Sequence, residues 1–165
     1  MRTRTQPGLG ELLRYVSELV DQGAEAQYRT LNLNYRARYT PVLRAIDAGA
    51  QTVTDITART HLTQGAVSQT IALMTTDGLL ARRAMDDARK SGIHLTPKGR
   101  ALLKKLQPHW DVTFAAIAAL EAEIGHPLRA ALEATTAALE REGFAARLHA
   151  AAASAKDGQE NTDAP

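Results

Sequence analysis

Apolar residues recur near the start of the chain at Leu9, Leu12, Leu13, Val16, Leu19 and Val20, a spacing of three and four that gathers them on one side of a helix. The pattern predicts a long helix that begins near Gly8 and fades through Gly23 into an Ala/Gln/Arg stretch reaching about Thr30. Leu31 to Tyr35 reads as a break. Pro41 then suits the first turn of a short helix carrying Val42, Leu43 and Ile46 and ended by Gly49. From Gln51 onward the signals are denser. Thr54 is the expected N-cap of a short helix with Ile56 and Ala58 inside, and Thr63 caps the next, in which Val67, Ile71 and Met74 form a stripe. Gly78 stands where a left-handed C-terminal residue belongs. Two helices joined by His61-Leu62-Thr63 have the proportions of a helix-turn-helix.

Leu79 to Ala84 and Gly92 to Leu95 are short strand candidates around a polar tip, residues 85–91, and Thr96-Pro97 opens another helix as N-cap and first residue. Beyond Pro108 the chain is Ala-rich and acidic. Helical runs are predicted from about Trp110 to Ile124 and Pro127 to Glu142, punctuated by Gly125 and Gly143. Their stripes (Phe114, Ile117, Leu120, Ile124; Leu128, Leu132, Leu139) exceed what a small domain can bury alone, so a second copy of the chain is expected to cover them. Residues 154–165 read as a polar, disordered tail. The fold class is mainly α with a small β-hairpin.

Composition narrows the chemistry. The 165 residues include no cysteine, which excludes a disulfide scaffold and a Cys-ligated zinc site. No stretch approaches the roughly 18 apolar residues of a membrane span, and the basic start Met1-Arg-Thr-Arg-Thr-Gln-Pro is not followed by an apolar leader segment. The expectation is a soluble, cytoplasmic protein without a membrane partner. There is no Gly-rich phosphate loop, no His-x-x-x-His and no Ser-centred elbow, and His61, His94, His109, His126 and His149 are scattered, so neither an enzyme, a metal site nor a cofactor is expected. The net charge of +2 hides an asymmetry: residues 1–108 carry 16 Lys/Arg against 9 acids, residues 109–165 carry 4 against 9. A basic body with an acidic C-terminal third suits a polyanion partner for the first part.

The face of the Thr63–Asp77 helix opposite its apolar stripe presents Gly65, Ser68, Gln69, Ala72 and Thr76, with Gln64 at the exposed start. An ordinary solvated face would carry Glu, Lys and Arg. Small residues let a helix approach a surface closely, and Gln and Ser exchange hydrogen bonds with base edges, which fits a DNA major groove. The competing reading is a helix buried in a larger core or at a protein interface. The hairpin favours the groove. Arg89 and Lys90 stand at its tip beside Asp86 and Asp87, with Arg82 and Arg83 on the preceding strand; a tip arginine can enter the electronegative minor groove while a carboxylate steadies its guanidinium. The bland alternative is a solvated turn with a surface ion pair.

Residues of about 27–106 resemble the MarR family of winged helix-turn-helix regulators. The resemblance is carried by Tyr39-Thr-Pro-Val-Leu-Arg-Ala-Ile46, Val53-Thr-Asp-Ile-Thr-Ala58, Leu62-Thr-Gln-Gly-Ala-Val-Ser-Gln69, Gly78-Leu-Leu-Ala-Arg-Arg83, Asp87-Ala-Arg89 and Ile93-His-Leu-Thr-Pro-Lys-Gly-Arg-Ala-Leu-Leu103. It implies a homodimer with interleaved N- and C-terminal helices, two recognition helices addressing a palindrome in double-stranded DNA, Arg89 as the wing arginine and Asp87 as its supporting carboxylate. The expected organisation is an N-terminal dimerisation helix and connector in 1–38, a winged helix-turn-helix in 39–106, C-terminal dimerisation helices in 107–153 and the tail in 154–165. Two departures, Ala88 in place of a frequent wing arginine and Met74-Thr-Thr-Asp77 without basic residues, imply a weaker or more salt-sensitive phosphate grip.

Together these readings predict a sequence-specific transcriptional regulator, a repressor released by a small effector. Gln64, Gly65, Ser68 and Gln69 would meet base edges and Thr54, Thr63 and Thr70 phosphates. Arg82, Asp87, Arg89 and Lys90 would complete the DNA-binding set. An aromatic or anionic effector would sit where the dimer helices meet the winged domain, near Tyr35, Arg36, Tyr39, Arg44 and Trp110, with Tyr28, Arg38 and His109 close by; Tyr and Arg can hold an aromatic carboxylate by stacking and a bidentate pair. The alternative for those rings is core packing. The alternative for the whole chain is a winged-helix module for protein interaction or ligand sensing that does not bind DNA specifically.

Overall fold

A computed structural model describes residues 6–84 and 91–160 of the chain. Its elements in order are α1 (Leu9–Thr30), a short 3-10 turn (Ala37–Tyr39), α2 (Thr40–Asp47), α3 (Val53–Ala58), α4 (Gln64–Thr76), β1 (Leu80–Ala84), β2 (Ser91–Leu95), α5 (Pro97–Ile124), α6 (Leu128–Arg141) and α7 (Phe144–Glu160). This is the expected class, mainly helical with one antiparallel hairpin. The chain divides into two compact units, residues 1–109 and 110–165.

In the first unit α1 runs unbroken through Gly23, because Ala24, Glu25, Ala26 and Gln27 are strong helix formers that offset the glycine. It stops where Asn32 takes a left-handed backbone, φ 53°, a conformation asparagine tolerates better than most residues. Of its residues only Tyr28 is buried; Leu9, Leu12, Leu13, Val16, Leu19 and Val20 are all more than 40% exposed. The core lies elsewhere. Tyr39, Val42, Leu43, Ile56, Val67, Ile71, Met74 and Leu106 are essentially inaccessible to solvent. Burying side chains of this size stabilises by about 1.5–3 kcal/mol each, so α2, α3 and α4, which hold six of these eight residues, carry most of that contribution.

The start of α3 corrects the sequence reading. Its N-cap is Thr52, not Thr54: Thr52 Oγ1 accepts from Asp55 N at 3.0 Å, and Asp55 Oδ2 accepts from Thr52 N at 3.1 Å and from Gln51 N at 3.2 Å. The reciprocal pair requires an acid three residues after the cap, which Thr52 has and Thr54 lacks. These bonds hold the Asp55 carboxyl below its usual range, the bond with Thr52 contributing most.

In β1 and β2 the register pairs Leu80 with Leu95, Arg82 with Ile93 and Ala84 with Ser91. Ile93 N donates to the Gln51 carbonyl at 2.7 Å, tying the hairpin to the segment before α3, and Thr96 N donates to the Leu79 carbonyl at 3.0 Å, closing the hairpin's base. Thr96 caps α5 as expected, its Oγ1 accepting from Gly99 N at 3.0 Å. Gly99 is where α5 crosses the strand: a Cβ there would collide with the Leu79 carbonyl and stand 3.0 Å from Leu95 Cδ2. The expected break at Pro108 does not occur, and α5 continues to Ile124. An interior proline removes one hydrogen bond at a cost of about 3 kcal/mol, but extending a helix that already exists avoids the cost of nucleating a new one, and the Ala-rich run beyond Pro108 propagates well.

In the second unit α6 has no buried residue. Its start is fixed by Arg129, whose amide donates to Glu121 Oε1 at 2.7 Å and whose guanidinium lies over the Phe114 ring, 5.3 Å from its centroid. Arg147 of α7 reaches the Ala138 carbonyl at 3.1 Å and the Glu142 carboxylate at 3.5 Å. Val112, Leu120, Ile124, Leu132, Leu139, Phe144 and Leu148 remain exposed. Residues 154–160, expected in a disordered tail, are the last turns of α7, carried forward by the helix-forming run Ala150 to Ala153; residues 161–165 lie outside the described residues.

Two outcomes follow from this packing. Gly99→Ala is expected to destabilise the protein by at least about 2 kcal/mol, measured by urea unfolding, because a backbone carbonyl stands in the way of the methyl group. Asp55→Ala is expected to lower the melting temperature at neutral pH. A carboxyl whose folded pKa is depressed stabilises above its unfolded value, here 3.8, and loses that contribution as pH falls through the folded one. The gap between variant and wild type should therefore close in melts taken below that value.

Candidate nucleic-acid interface

The arrangement that could meet a duplex is built on α4. Every third or fourth residue of this helix is apolar, and Val67, Thr70, Ile71 and Met74 are buried. The opposite side presents Gln64, Gly65, Ser68, Gln69, Ala72 and Thr76, all exposed. No residue from Gln64 to Thr76 is charged. The hydroxyls of Thr75 and Thr76 turn back onto their own helix, donating to the Ile71 carbonyl at 2.8 Å and the Ala72 carbonyl at 3.1 Å. The hydrogen-bonding groups that point outward are thus those of Gln64, Ser68 and Gln69. A side chain added at Gly65 would meet nothing within 4 Å, so the first turn offers an open approach.

Thr70 is a correction. It was expected at a phosphate, but three residues after Val67 it falls on the buried face and is 5% exposed. Thr63 is exposed and caps α4, its Oγ1 accepting from Ala66 N at 3.2 Å, which leaves the hydroxyl hydrogen able to point elsewhere. Thr54 is exposed in the first turn of α3, and Arg82 and Arg83 are exposed on β1. Asp87, Arg89 and Lys90 lie outside the described residues.

Both ends of α4 are fixed. At the far end Gly78 adopts φ 74°, which reverses the chain into β1. The turn of Asp77 and Gly78 that closes α4 receives three side chains: the Asp77 carboxylate accepts from Tyr39 Oη at 2.8 Å, the Asp77 carbonyl accepts from Lys98 Nζ at 2.7 Å, and the Gly78 carbonyl accepts from Thr96 Oγ1 at 2.7 Å. The sequence reading noticed Asp77 only as a missing base. The signal for its role, a buried tyrosine 38 positions earlier, is not local.

Of the residues expected around an effector, Tyr35, Arg36, Tyr39 and Arg44 lie in the first unit and Trp110 in the second. Tyr35 and Tyr39 are 5% and 0% exposed. Tyr35 Oη donates to Thr40 Oγ1 at 3.0 Å, and the rings of Tyr28, Tyr35 and Tyr39 pack edge to face at centroid distances of 4.9 and 6.0 Å. Burial pushes the Tyr35 hydroxyl well above the usual tyrosine range and raises that of Tyr39, to which the bond with Asp77 also contributes. Within this chain the two rings are core, so a ligand would reach them only after the core opened. Arg36 and Arg44 are exposed, the Arg36 guanidinium lying 6.0 Å from the Tyr39 ring centroid, and Trp110 belongs to the second unit. Among the described residues no group of three His, Asp or Glu side chains is placed to hold a metal ion, and no helix is long and apolar enough to cross a membrane.

Residues 31–90 match the model of the MarR family. No relative matches among the curated proteins. Among solved structures, the M. tuberculosis transcriptional regulator MosR in complex with DNA is 23% identical and covers 83% of this chain and 98% of its own, with a TM-score of 0.64. The S. aureus MepR–DNA complex is 19% identical over 81% of this chain and 99% of its own, TM-score 0.62. Bordetella bronchiseptica BpsR, whose DNA binding is regulated by 6-hydroxynicotinic acid, is 24% identical over 76% of this chain and 98% of its own, TM-score 0.53. These likenesses establish the fold. Residues 31–90 are thus similar to the MarR family, and the chain shares the winged helix-turn-helix fold of these solved regulators along most of their length.

Proposed function

We propose that the protein is a DNA-binding transcriptional regulator, a repressor that binds a palindromic site as a homodimer and is released by a small anionic or aromatic effector. The observation that carries this reading is the exposed, uncharged, hydrogen-bonding face of α4, held at both ends by side chains of the surrounding unit. Gln64, Ser68 and Gln69 read base edges; glutamine pairs its amide with the N6 and N7 of adenine. Gly65 admits the close approach. Thr54 and Thr63 meet phosphates, and Arg82, exposed on β1, adds positive charge. Asp87, Arg89 and Lys90 keep their places in the wing on the family resemblance alone. The DNA complexes of MosR and MepR, which share the fold, support the same use here.

The homodimer rests on the apolar face of α1 and those of α5, α6 and α7, which the single chain leaves to solvent. Exposed apolar area of this extent marks an interface, and a two-fold arrangement of one patch on itself satisfies it most economically. The fold shared with BpsR supports release by an effector. Arg36 and Arg44 are the exposed members of the expected effector set.

Selection of bound sites from random duplexes tests the reading. A palindrome recovered and shifted at physiological salt supports it; salt-labile binding that ignores sequence would favour a protein-interaction module on the same fold. Gln69→Ala is expected to cost about 1–3 kcal/mol on one preferred base pair of the recovered site, and equal loss on scrambled DNA would show that Gln69 does not read bases. Leu12→Glu with Val16→Glu is expected to convert a species of twice the chain mass into a monomer by sedimentation equilibrium; an unchanged mass would remove the dimer as drawn.

A further inference from the structure

The far end of α4 is held by a side chain that contacts no part of its outward face. Tyr39 is fully buried, yet its hydroxyl finds Asp77 Oδ2 at 2.8 Å, joining the 3-10 turn before α2 to the C-cap of the recognition helix. The ring is itself fixed: Tyr35 packs against it edge to face at 80°, Tyr28 packs against Tyr35 at 85°, and the Tyr35 hydroxyl is bonded to Thr40. The stripe of Val67, Ile71 and Met74 gives α4 its affinity for the core, but dispersion contacts have no direction and tolerate small rolls and tilts. A hydrogen bond is directional. The bonds from Lys98 and Thr96 reach backbone carbonyls at the same end and fix the turn into β1. Among the described hydrogen bonds, that from Tyr39 is the one that ties the Asp77 side chain to α2's side of the core.

We propose that Tyr39 is a positioning residue for sequence-specific binding: its bond to Asp77 sets the tilt of α4 and with it the places of Gln64, Ser68 and Gln69. The inference rests on the reading of α4 as the duplex-facing helix. Leverage makes the bond matter. At 1.5 Å per residue α4 is roughly 20 Å long, so a tilt of about 3° at the Asp77 end displaces Gln64 by about 1 Å. A paired hydrogen bond to a base edge tolerates only a few tenths of an ångström. Phosphate contacts by flexible cations tolerate far more. Loosening the bond should therefore cost sequence discrimination and spare nonspecific affinity.

The test compares wild type, Tyr39→Phe, Asp77→Asn, Asp77→Ala and the double variant Tyr39→Phe/Asp77→Ala as full chains. The probes are the duplex that wild type recovers from a random pool and a scrambled duplex of the same composition. Tyr39→Phe should weaken binding of the recovered duplex by about fivefold or more and change binding of the scrambled one by less than about twofold. Asp77→Asn, which keeps an oxygen to accept the bond, should retain most of the discrimination. Asp77→Ala should match Tyr39→Phe, and the double variant should lose no more than either. Amide hydrogen exchange supplies a readout without DNA: the Asp77, Gly78 and Leu79 amides should exchange about fivefold faster or more in Tyr39→Phe, with the amides of Ile56 in α3 and of its C-cap Arg59 unchanged. Wild-type discrimination in Tyr39→Phe overturns the proposal, as does parallel loss on both duplexes with faster exchange throughout. If wild type recovers no sequence, the reading of α4 as duplex-facing fails by itself, and exchange at Asp77 to Leu79 still decides whether Tyr39 holds the helix.

Discussion

A helix that approaches a polyanion without a charge of its own depends on being held still. An arginine-rich recognition helix is drawn toward phosphates from a distance and can correct its pose through long, flexible side chains. The face of α4, with two glutamines, a serine and a glycine, has short reach and no net attraction. Its hydrogen bonds form only where the backbone already stands at the right depth and angle. The surrounding unit supplies that constraint: the apolar stripe fixes depth, Thr63 the first turn, and Tyr39, Lys98 and Thr96 the last.

The other elements can be understood from that requirement. The hairpin is short and would be marginal alone, but Ile93 and Thr96 bond it to α3's approach and to Leu79, so that it extends from the helix-turn-helix as part of the same body. Gly99 lets α5 pass against the strand close enough for Thr96 to cap it and for Lys98 to reach Asp77. The tyrosines that sequence reasoning offered to a ligand serve the same frame, trading chemical availability for rigidity: rings edge to face, hydroxyls bonded inward.

The apolar surfaces of the flanking helices follow a different logic. In α1 and in the second unit, leucines, valines and phenylalanines stay open to water at positions whose spacing marks one helix side. At 37–60% exposure they bury only part of their surface in the single chain, and a partner that covered the rest would stabilise these helices by mass action. Positive charge is concentrated ahead of residue 109 and negative charge behind it. The exposed apolar surface is not divided in this way: it lies on α1 in the basic part as well as on the helices of the acidic part.

Local pattern determined much of this protein. The helical stripes, the turn at His61 to Thr63, the left-handed position of Gly78 and the Thr96-Pro97 start all rest on interactions within a few residues, and a local reading suffices for them. It also separated the polar face of α4 from its apolar one, with one slip at Thr70, which lies three residues from Val67 and so on the inside. What tertiary structure alone decided has a common cause in distance along the chain. Pro108 sits within a helix because the turns before it are already packed and propagation is cheaper than a fresh start. The cap of α3 is a different case, since Thr52 and Asp55 are only three residues apart and the signal passed over in favour of Thr54 was local. Tyr39 belongs to Asp77, 38 residues away, and no spacing rule connects two side chains that the fold alone brings within 2.8 Å.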